Sequence, residues 1–387
     1  MAHYNTILHQ LLQLVPRHHF ESRVRQLKGD HYVKRFKTWH QLTVLLYAFA
    51  SGKNSLRDIE NGLNSQLKHL YHLGLPDSIP KSTLADANSK RDYRIYEDLF
   101  YRLEERCRRI SPKHKFAFKN PLISIDSTVI ELSVSLFPWT RFARQRGGLK
   151  LHYGYDHSGD FPNFLSVKTP KSADNKTAIE LFPVIPDSIN CFDRGYMDMS
   201  WYRRIHDEKA YFVTRARRQQ RGRIIERRPV TPGGNVLFDH IVEPLPASAR
   251  RFPYPLRFVG YWDPQAKREF RFLTNHLYLP AQTVADIYKA RWQIEAFFKW
   301  IKQNLKIKTF LGTSKNAVLT QVWIAMCYYL LLSYIRFQSR YAQSLFYLHR
   351  VIRATILERI SLIDLLKLTT NRLARIRDPE PQLAFGF

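Results

Sequence analysis

The sequence predicts an α/β protein in which a helical region precedes a mixed sheet and further helices follow it. Three observations lead there. Apolar residues recur at three- and four-residue spacing through residues 1–110. Runs rich in β-branched and aromatic residues begin at Pro121. Helical spacing resumes at Ala281 and continues to about residue 370.

In the first region the helical pattern covers residues 20–28, 39–50, 56–71 and 92–110, with Ser55 placed as an N-cap and Ser82 opening a short helix after Pro80. Such a unit, with Arg and Lys on its helices, could carry a helix-turn-helix or be a simple packing unit. Strands are expected at 122–132, 149–155 and 164–168, then helix at 177–185, strand at 188–192, helix at 200–208 and strand at 210–214. Three strands followed by alternating helix and strand make a mixed sheet. The run 215–228 then holds seven Arg and one Glu, and expected strands at 235–245, 256–262 and 269–279 make a β-rich insertion before the helices resume. The longest apolar run, 322–335, is too short to span a bilayer and reads as a buried helix.

Of the 387 residues, 61 are Lys or Arg and 33 are Asp or Glu, a net charge of +28. Residues 1–118 hold 20 basic and 11 acidic residues, net +9, which leaves +19 for the rest. The surplus is therefore spread along the chain, which points to a polyanionic partner gripped by the whole body, nucleic acid before membrane. With 44% hydrophobic residues, a disordered polybasic chain is excluded. Three cysteines without a CxxC pair exclude a disulfide framework and a cysteine zinc site, and fit a reducing cytoplasm. The N-terminal residues lack the charge pattern of a signal peptide. There is no phosphate loop, GxGxxG, GxSxG or HExxH.

Three carboxylates stand out. Asp126 lies mid-strand, where an ionised group is costly unless a cation or hydrogen bonds compensate it. Asp193 closes a short strand and enters the turn Arg194-Gly195, which alone reads as turn chemistry. Glu295 lies on an expected continuous helix where, at about 100° per residue, Tyr288, Arg291, Glu295 and Lys302 fall within an arc of about 60°. Ile287, Ile294, Phe297, Phe298, Ile301 and Leu305 fill the apolar face beside that stripe. A solvated helix with an Arg291–Glu295 ion pair would show the same spacing. Three carboxylates in a basic protein suit metal-assisted phosphoryl transfer, and hard oxygen donors without clustered Cys or His suit Mg2+, with Mn2+ able to substitute.

The spacing Tyr288-x2-Arg291-x3-Glu295-x6-Lys302, with Asp126 in Ile-Asp-Ser-Thr and Asp193 in Phe-Asp-Arg-Gly-Tyr, resembles the DDE transposases of insertion-sequence family four. The resemblance covers essentially the whole chain. It implies a ribonuclease-H-like core interrupted by a β-rich insertion, divided as 1–118 helical DNA-binding domain, 119–217 first part of the core, 218–279 insertion and 280–387 the third acid's helix with C-terminal helices. It implies that Asp126, Asp193 and Glu295 hold two Mg2+ ions, and that Tyr288, Arg291 and Lys302 contact the DNA end. Trp262 is the nearest candidate for an insertion tryptophan that receives a flipped base. Ala173 stands where a His is expected, before Asp174. The activity implied is cut-and-paste: binding of terminal inverted repeats, strand cleavage, a hairpin step and transfer into target DNA. Partners would be double-stranded transposon ends and target, and a second copy in a paired-end homodimer, at the nucleoid and not at a membrane. Independently of the resemblance, Arg217, Arg218, Arg221 and Arg223 are expected to grip phosphates. A nuclease without strand transfer and a catalytically silent DNA-binding regulator are the alternatives.

Overall fold

The computed structural model describes residues 5–66, 71–217, 220–304 and 310–367. Two compact units emerge, one of Met1–Pro112 with Trp300–Phe387 and one of Lys113–Lys299.

The first unit is helical. Its described helices are Ile7–Gln13, Arg17–Gln26, Thr38–Ser51, Leu56–Asn64, Lys81–Lys90 and Arg94–Ile110, then Lys315–Gln338 and Leu345–Thr355. Lys315–Gln338 is 24 residues long, and 94% of its most apolar window is buried. It is long and apolar enough to cross a membrane, but a helix apolar all round is also what a core position demands. Arg94–Ile110, Thr38–Ser51 and Lys81–Lys90 pack around it, as expected of the apolar run 322–335. The distant ends of the unit are joined by backbone: Ile7 N donates to Glu358 O at 3.0 Å and Leu8 N to Ile356 O at 2.9 Å.

Ser55 is the expected cap, its Oγ accepting from Asp58 N at 3.1 Å. The helix it opens ends at Asn64 and not at residue 71, because Gly62, Asn64 and Ser65 are weak helix formers; residues 67–70 lie outside the described residues. The first helix, Ile7–Gln13, is absent from the sequence expectation, which began at residue 20.

His349 is buried in this unit, its Nδ1 3.0 Å from the Tyr328 hydroxyl. Burial, with Arg353 nearby, pulls its pKa down to about 4. The unfolded chain binds a proton that the folded chain refuses between about pH 6.5 and 4, so stability present above pH 6.5 is lost as pH falls through that window. His349→Gln should make the unfolding midpoint less sensitive to pH there; an unchanged pH slope would show that His349 does not contribute.

The second unit is built on one ten-stranded sheet, ordered β2-β3-β1-β5-β6-β10-β9-β8-β7 with β4 also pairing β3. The strands are β1 Leu122–Leu132, β2 Arg141–Ala143, β3 Arg146–Asp156, β4 Phe161–Lys168, β5 Ile189–Phe192, β6 Tyr211–Arg215, β7 Gly222–Arg228, β8 Val236–Pro244, β9 Leu256–Asp263 and β10 Arg268–Thr274. β1, β3 and β4 pair antiparallel, while β1, β5 and β6 run parallel. Helix Asp174–Leu181 leads from β4 into β5, and helix Met199–Asp207 connects the parallel strands β5 and β6. Ile123, Ile125, Phe192 and Phe212 pack with Trp201, Tyr202 and Ile205 on one face of the sheet. Leu122, Ile189, Cys191, Val213 and Phe272 pack with Val284, Ile287 and Tyr288 of helix Ala281–Ala290 on the other.

The insertion strands join this same sheet, β10 pairing antiparallel with β6. The second half of the arginine run is itself a strand, β7 (Gly222–Arg228), at the edge. Its register shifts between Ile224 and Glu226, and such a bulge breaks the two-residue alternation by which a strand is recognised in sequence. The expected strand 269–279 stops at Thr274. A buried pair holds the insertion: Arg257 Nε and Nη2 donate to Asp239 at 2.7 and 2.6 Å, and Arg257 Nη1 donates to Leu279 O at 2.5 Å.

Candidate active site

Successive residues of a strand face opposite sides. Ile123 and Ile125 fill the core on one face of β1, which turns Ser124 and Asp126 to the other. Ile125 is paired with Phe192, the last residue of parallel β5, so Asp126, the next residue within β1, and Asp193, just past the end of β5, stand side by side. The carboxyl ends of parallel strands are where open α/β sheets bind ligands.

Local hydrogen bonds fix both aspartates. Asp126 Oδ1 accepts from Ser127 N at 2.8 Å, and Asp193 Oδ1 from Gly195 N at 2.8 Å. A Cβ at residue 195 would stand 3.1 Å from Asp193 Oδ1 and 3.3 Å from Asp174 Oδ2, tight contacts that would press on both carboxylates. Asp174 is thus a neighbour of the Asp193 turn, and its Oδ1 accepts from Ser127 Oγ at 2.9 Å and pairs with Lys150 Nζ at 2.7 Å. Ala173 is the N-cap residue of helix Asp174–Leu181 and supplies no side-chain cap.

The expected continuous helix through residues 281–304 is two helices, Ala281–Ala290 and Trp292–Asn304, separated at Arg291. Arg291 N bonds Tyr288 O and Ile294 N bonds Arg291 O, a tightened turn. The break alters the stripe. Tyr288 is buried against Phe272, ring centroids 5.1 Å apart, and Arg291 is 8% exposed. The Arg291 guanidinium lies between two acids: Nη1 donates to Asp126 Oδ2 at 2.5 Å, and Nη2 is 3.5 Å from Glu295 Oε1. Ile287, Ile294, Phe297, Phe298 and Ile301 are buried as expected; Leu305 lies outside the described residues. Lys302 is half-buried further along the same helix.

Burial pushes the Asp126 carboxyl up to about 6, with Arg291 and the Ser127 amide opposing and with Asp193 and Glu295 adding like charge. For Arg291 burial disfavours the charge, yet Asp126, Tyr288, Cys191 and Asp193 together hold its pKa above the ordinary value. A buried relay ties the start of the Glu295 helix to β1: Ser124 Oγ is 2.7 Å from His157 Nε2, and His157 Nδ1 is 2.9 Å from Gln293 Oε1.

The other expected site residues are more dispersed. Arg217, Arg221 and Arg223 are exposed, and Arg223 is paired with Glu243; Arg218 lies outside the described residues. Trp262 is 43% exposed on β9, three strands from β5, or about 14 Å at about 4.8 Å per strand. Two further residues were not singled out as site residues, although the first belongs to the arginine run 215–228. Arg215 ends β6, with its guanidinium 4.6 Å from the Phe270 ring and its buried Nε unpartnered among the described residues. Trp292 is 64% exposed directly after Arg291, and its place beside the Arg of the stripe was the available signal.

Among the described residues no group of three or more His, Cys, Asp or Glu forms a ready-made metal cage. That geometry still fits Mg2+, which usually takes one or two carboxylates and completes its shell with water and substrate phosphate.

The model of a family described as "Transposase DDE domain" matches residues 117–331, a span that includes all three acids. A second, described as a domain of unknown function, DUF4372, matches residues 3–76. The y4zB transposase of Sinorhizobium fredii is 32% identical over 261 residues, covering 66% of this chain and 72% of that protein. The transposase for insertion sequence element IS5377 of Geobacillus stearothermophilus is 27% identical, covering 67% and 68%. That of element IS4SA of Synechocystis is 23% identical, covering 80% and 86%. A solved piggyBac transposase synaptic complex with hairpin DNA aligns over 98% of this chain and 83% of that one, with TM-score 0.46 and 11% identity, too distant to carry an argument. The chain belongs to the DDE transposases, of the type resembling insertion-sequence family four, and is a DNA-cleaving and strand-transferring enzyme of an insertion sequence.

Proposed function

We propose that this transposase binds the terminal inverted repeats of its element, cleaves them at Asp126, Asp193 and Glu295, and joins the freed ends to target DNA. The observation that carries the reading is that Asp126 within β1 and Asp193 just past the end of β5 stand side by side, with Glu295 tied to Asp126 through Arg291. A ribonuclease-H-like core is the reading supported by the order β4-β3-β1-β5-β6, three antiparallel strands followed by two parallel ones. On that reading residues 119–217 and the helix from 280 form the core, 218–279 are the insertion, and 1–118 read the end sequence.

The three acids would hold two Mg2+ ions, which when bound activate the attacking oxygen and stabilise the leaving one. Around them the chain's own groups do the positioning. Arg291 Nε has no hydrogen-bond partner among the described residues and so keeps a donor for the scissile strand. Tyr288, beneath the Arg291 guanidinium at 5.5 Å, orients it, and Lys302 takes a phosphate further along. Water attack at the scissile phosphorus releases a 3′-hydroxyl, whose oxygen then attacks a second phosphodiester and expels another 3′-oxygen. A paired-end homodimer would hold the two ends.

The test is a duplex carrying the terminal repeat, incubated with a target plasmid and Mg2+. A covalently joined product is expected. Nicked ends without joined product would favour a nuclease without strand transfer, and neither product would leave a DNA-binding regulator.

The arginine run makes a separate prediction. Changing Arg217, Arg218, Arg221 and Arg223 to Ala should weaken cognate and unrelated duplex alike. It should flatten the log–log salt dependence by up to about 0.9 for each phosphate that the variant no longer neutralises. Arg223 should contribute least, because Glu243 already competes for it. An unchanged slope would leave the run facing solvent.

A further inference from the structure

On the sheet face that carries Ile125 and Phe192, a cleft of about 340 Å³ is lined by Met197, Asp198, Tyr202, Arg217, Gln220 and Arg251. It opens at the N-terminal end of helix Met199–Asp207. Tyr202 is 1% exposed and stacked on Phe212, with ring centroids 4.3 Å apart. Its hydroxyl is fully buried and has no hydrogen-bond partner among the described residues, and neither has Gln220 Oε1. A buried hydroxyl left unpaired costs free energy, so it is kept where something else pairs it. Burial pushes the Tyr202 phenol well up, Arg217 pulls it back and Asp198 pushes it further. Both of those charges line the cleft, so the hydroxyl sits within their field.

The charges around the hydroxyl favour an anion. Arg217 and Arg251 are exposed guanidiniums at the rim. Asp198 is already engaged, its Oδ1 accepting from Ser200 N at 2.7 Å and its Oδ2 from Asn175 Nδ2 at 3.4 Å. Two cations against one occupied carboxylate leave the cleft net positive, and the helix start adds to that sign. The donors, a phenol and two planar forks, suit tetrahedral oxyanion geometry.

We propose that this cleft takes a phosphodiester of a DNA strand, with the Tyr202 hydroxyl and the Arg217 and Arg251 guanidiniums as donors. This rests on the reading of the chain as a DNA transposase and adds a phosphate site on the sheet face opposite Asp126. Inorganic phosphate presents the same oxyanion chemistry, and the test separates the two.

The decisive variant is Tyr202→Phe. It deletes one oxygen and keeps the ring stacked on Phe212. If the hydroxyl is only a packing defect, removing it leaves stability equal or higher and DNA binding unchanged. If it is a donor to phosphate, stability is equal or higher, but affinity for a duplex falls about tenfold, the loss of a hydrogen bond to a charged group. Arg251→Ala, at an exposed position, should lower the salt slope for duplex binding by about 0.9. Equal duplex affinity for wild type and Tyr202→Phe, with wild type binding well, overturns the cleft and leaves the transposase reading standing. Thermal protection of the wild type by inorganic phosphate, lost in Tyr202→Phe while duplex affinity is unchanged, overturns the DNA assignment in favour of a free-anion site. Failure of the wild type to bind any duplex would instead count against the transposase reading.

Discussion

Asp126→Asn, Asp193→Asn and Glu295→Gln are each expected to lower strand cleavage on the order of a thousandfold, while the affinity for the terminal repeat stays near wild type. Each change keeps the shape of the side chain and removes one anionic oxygen donor. Charge stabilisation by a bound divalent ion is worth several kcal/mol, and about 4 kcal/mol corresponds to three decades in rate. The geometry ranks the side effects. Asp126→Asn also removes the nearer of the two carboxylates facing Arg291, a group 8% exposed, and leaves only Glu295 at 3.5 Å, so this variant should lose some stability. Asp193→Asn should not, because an amide oxygen can still accept from Gly195 N. Single-turnover cleavage and denaturation midpoints measured on the same preparations decide it. Near-wild-type cleavage by any one variant removes that residue from the site.

Asp239→Ala is expected to cost about 3–5 kcal/mol of stability, the range for breaking a buried ion pair on one side. The Arg257 side chain is 2% exposed and that of Asp239 6%, so the orphaned guanidinium could not reach water without moving β8 or β9. The double change Asp239→Leu with Arg257→Met should recover much of the loss, since apolar replacement of a whole buried pair is often neutral. Arg257 also donates to Leu279 O, just before helix Ala281–Ala290. Strand cleavage should therefore fall with Asp239→Ala even at temperatures where the chain stays folded. A loss under about 1 kcal/mol would mean that the pair is solvated in solution.

Much of this architecture could be read from residue order because local rules and tertiary structure agree there. β1 was legible to the residue: it follows Pro121 and is rich in β-branched residues, and the polar groups Ser124 and Asp126 share a parity opposite to Ile123 and Ile125. Ser55 and the buried helix around 322–335 were legible for the same reason. The break at Arg291 was not. Nothing in Lys-Ala-Arg-Trp-Gln is a helix breaker; the turn tightens where Arg291 meets Asp126, 165 residues earlier in the chain. A helical wheel drawn straight through that point placed Tyr288 beside Glu295 at a polar edge, whereas Tyr288 is buried. β7 was hidden by its bulge, and Tyr202 looked like an ordinary apolar helix position because only a missing partner distinguishes it.

The helix Lys315–Gln338, around which the first unit's helices pack, sets a timetable for synthesis. Ribosomes add about 5–20 residues per second, and domains generally fold as their chain emerges. Helix Arg94–Ile110 leaves the ribosome more than 200 residues before its partner is complete at Gln338, a wait of roughly 10–40 seconds at that speed. During that interval the contiguous unit Lys113–Lys299 can fold, while Phe100 and Cys107 still lack their partners Trp323 and Leu330 on Lys315–Gln338. A nascent or prematurely terminated chain should therefore carry its N-terminal helices as a sticky chaperone client. Ribosome-bound chains stalled before residue 315 should be cut by protease within residues 1–112 and spared within 122–274, and protection of both should appear only once residue 338 has cleared the exit tunnel.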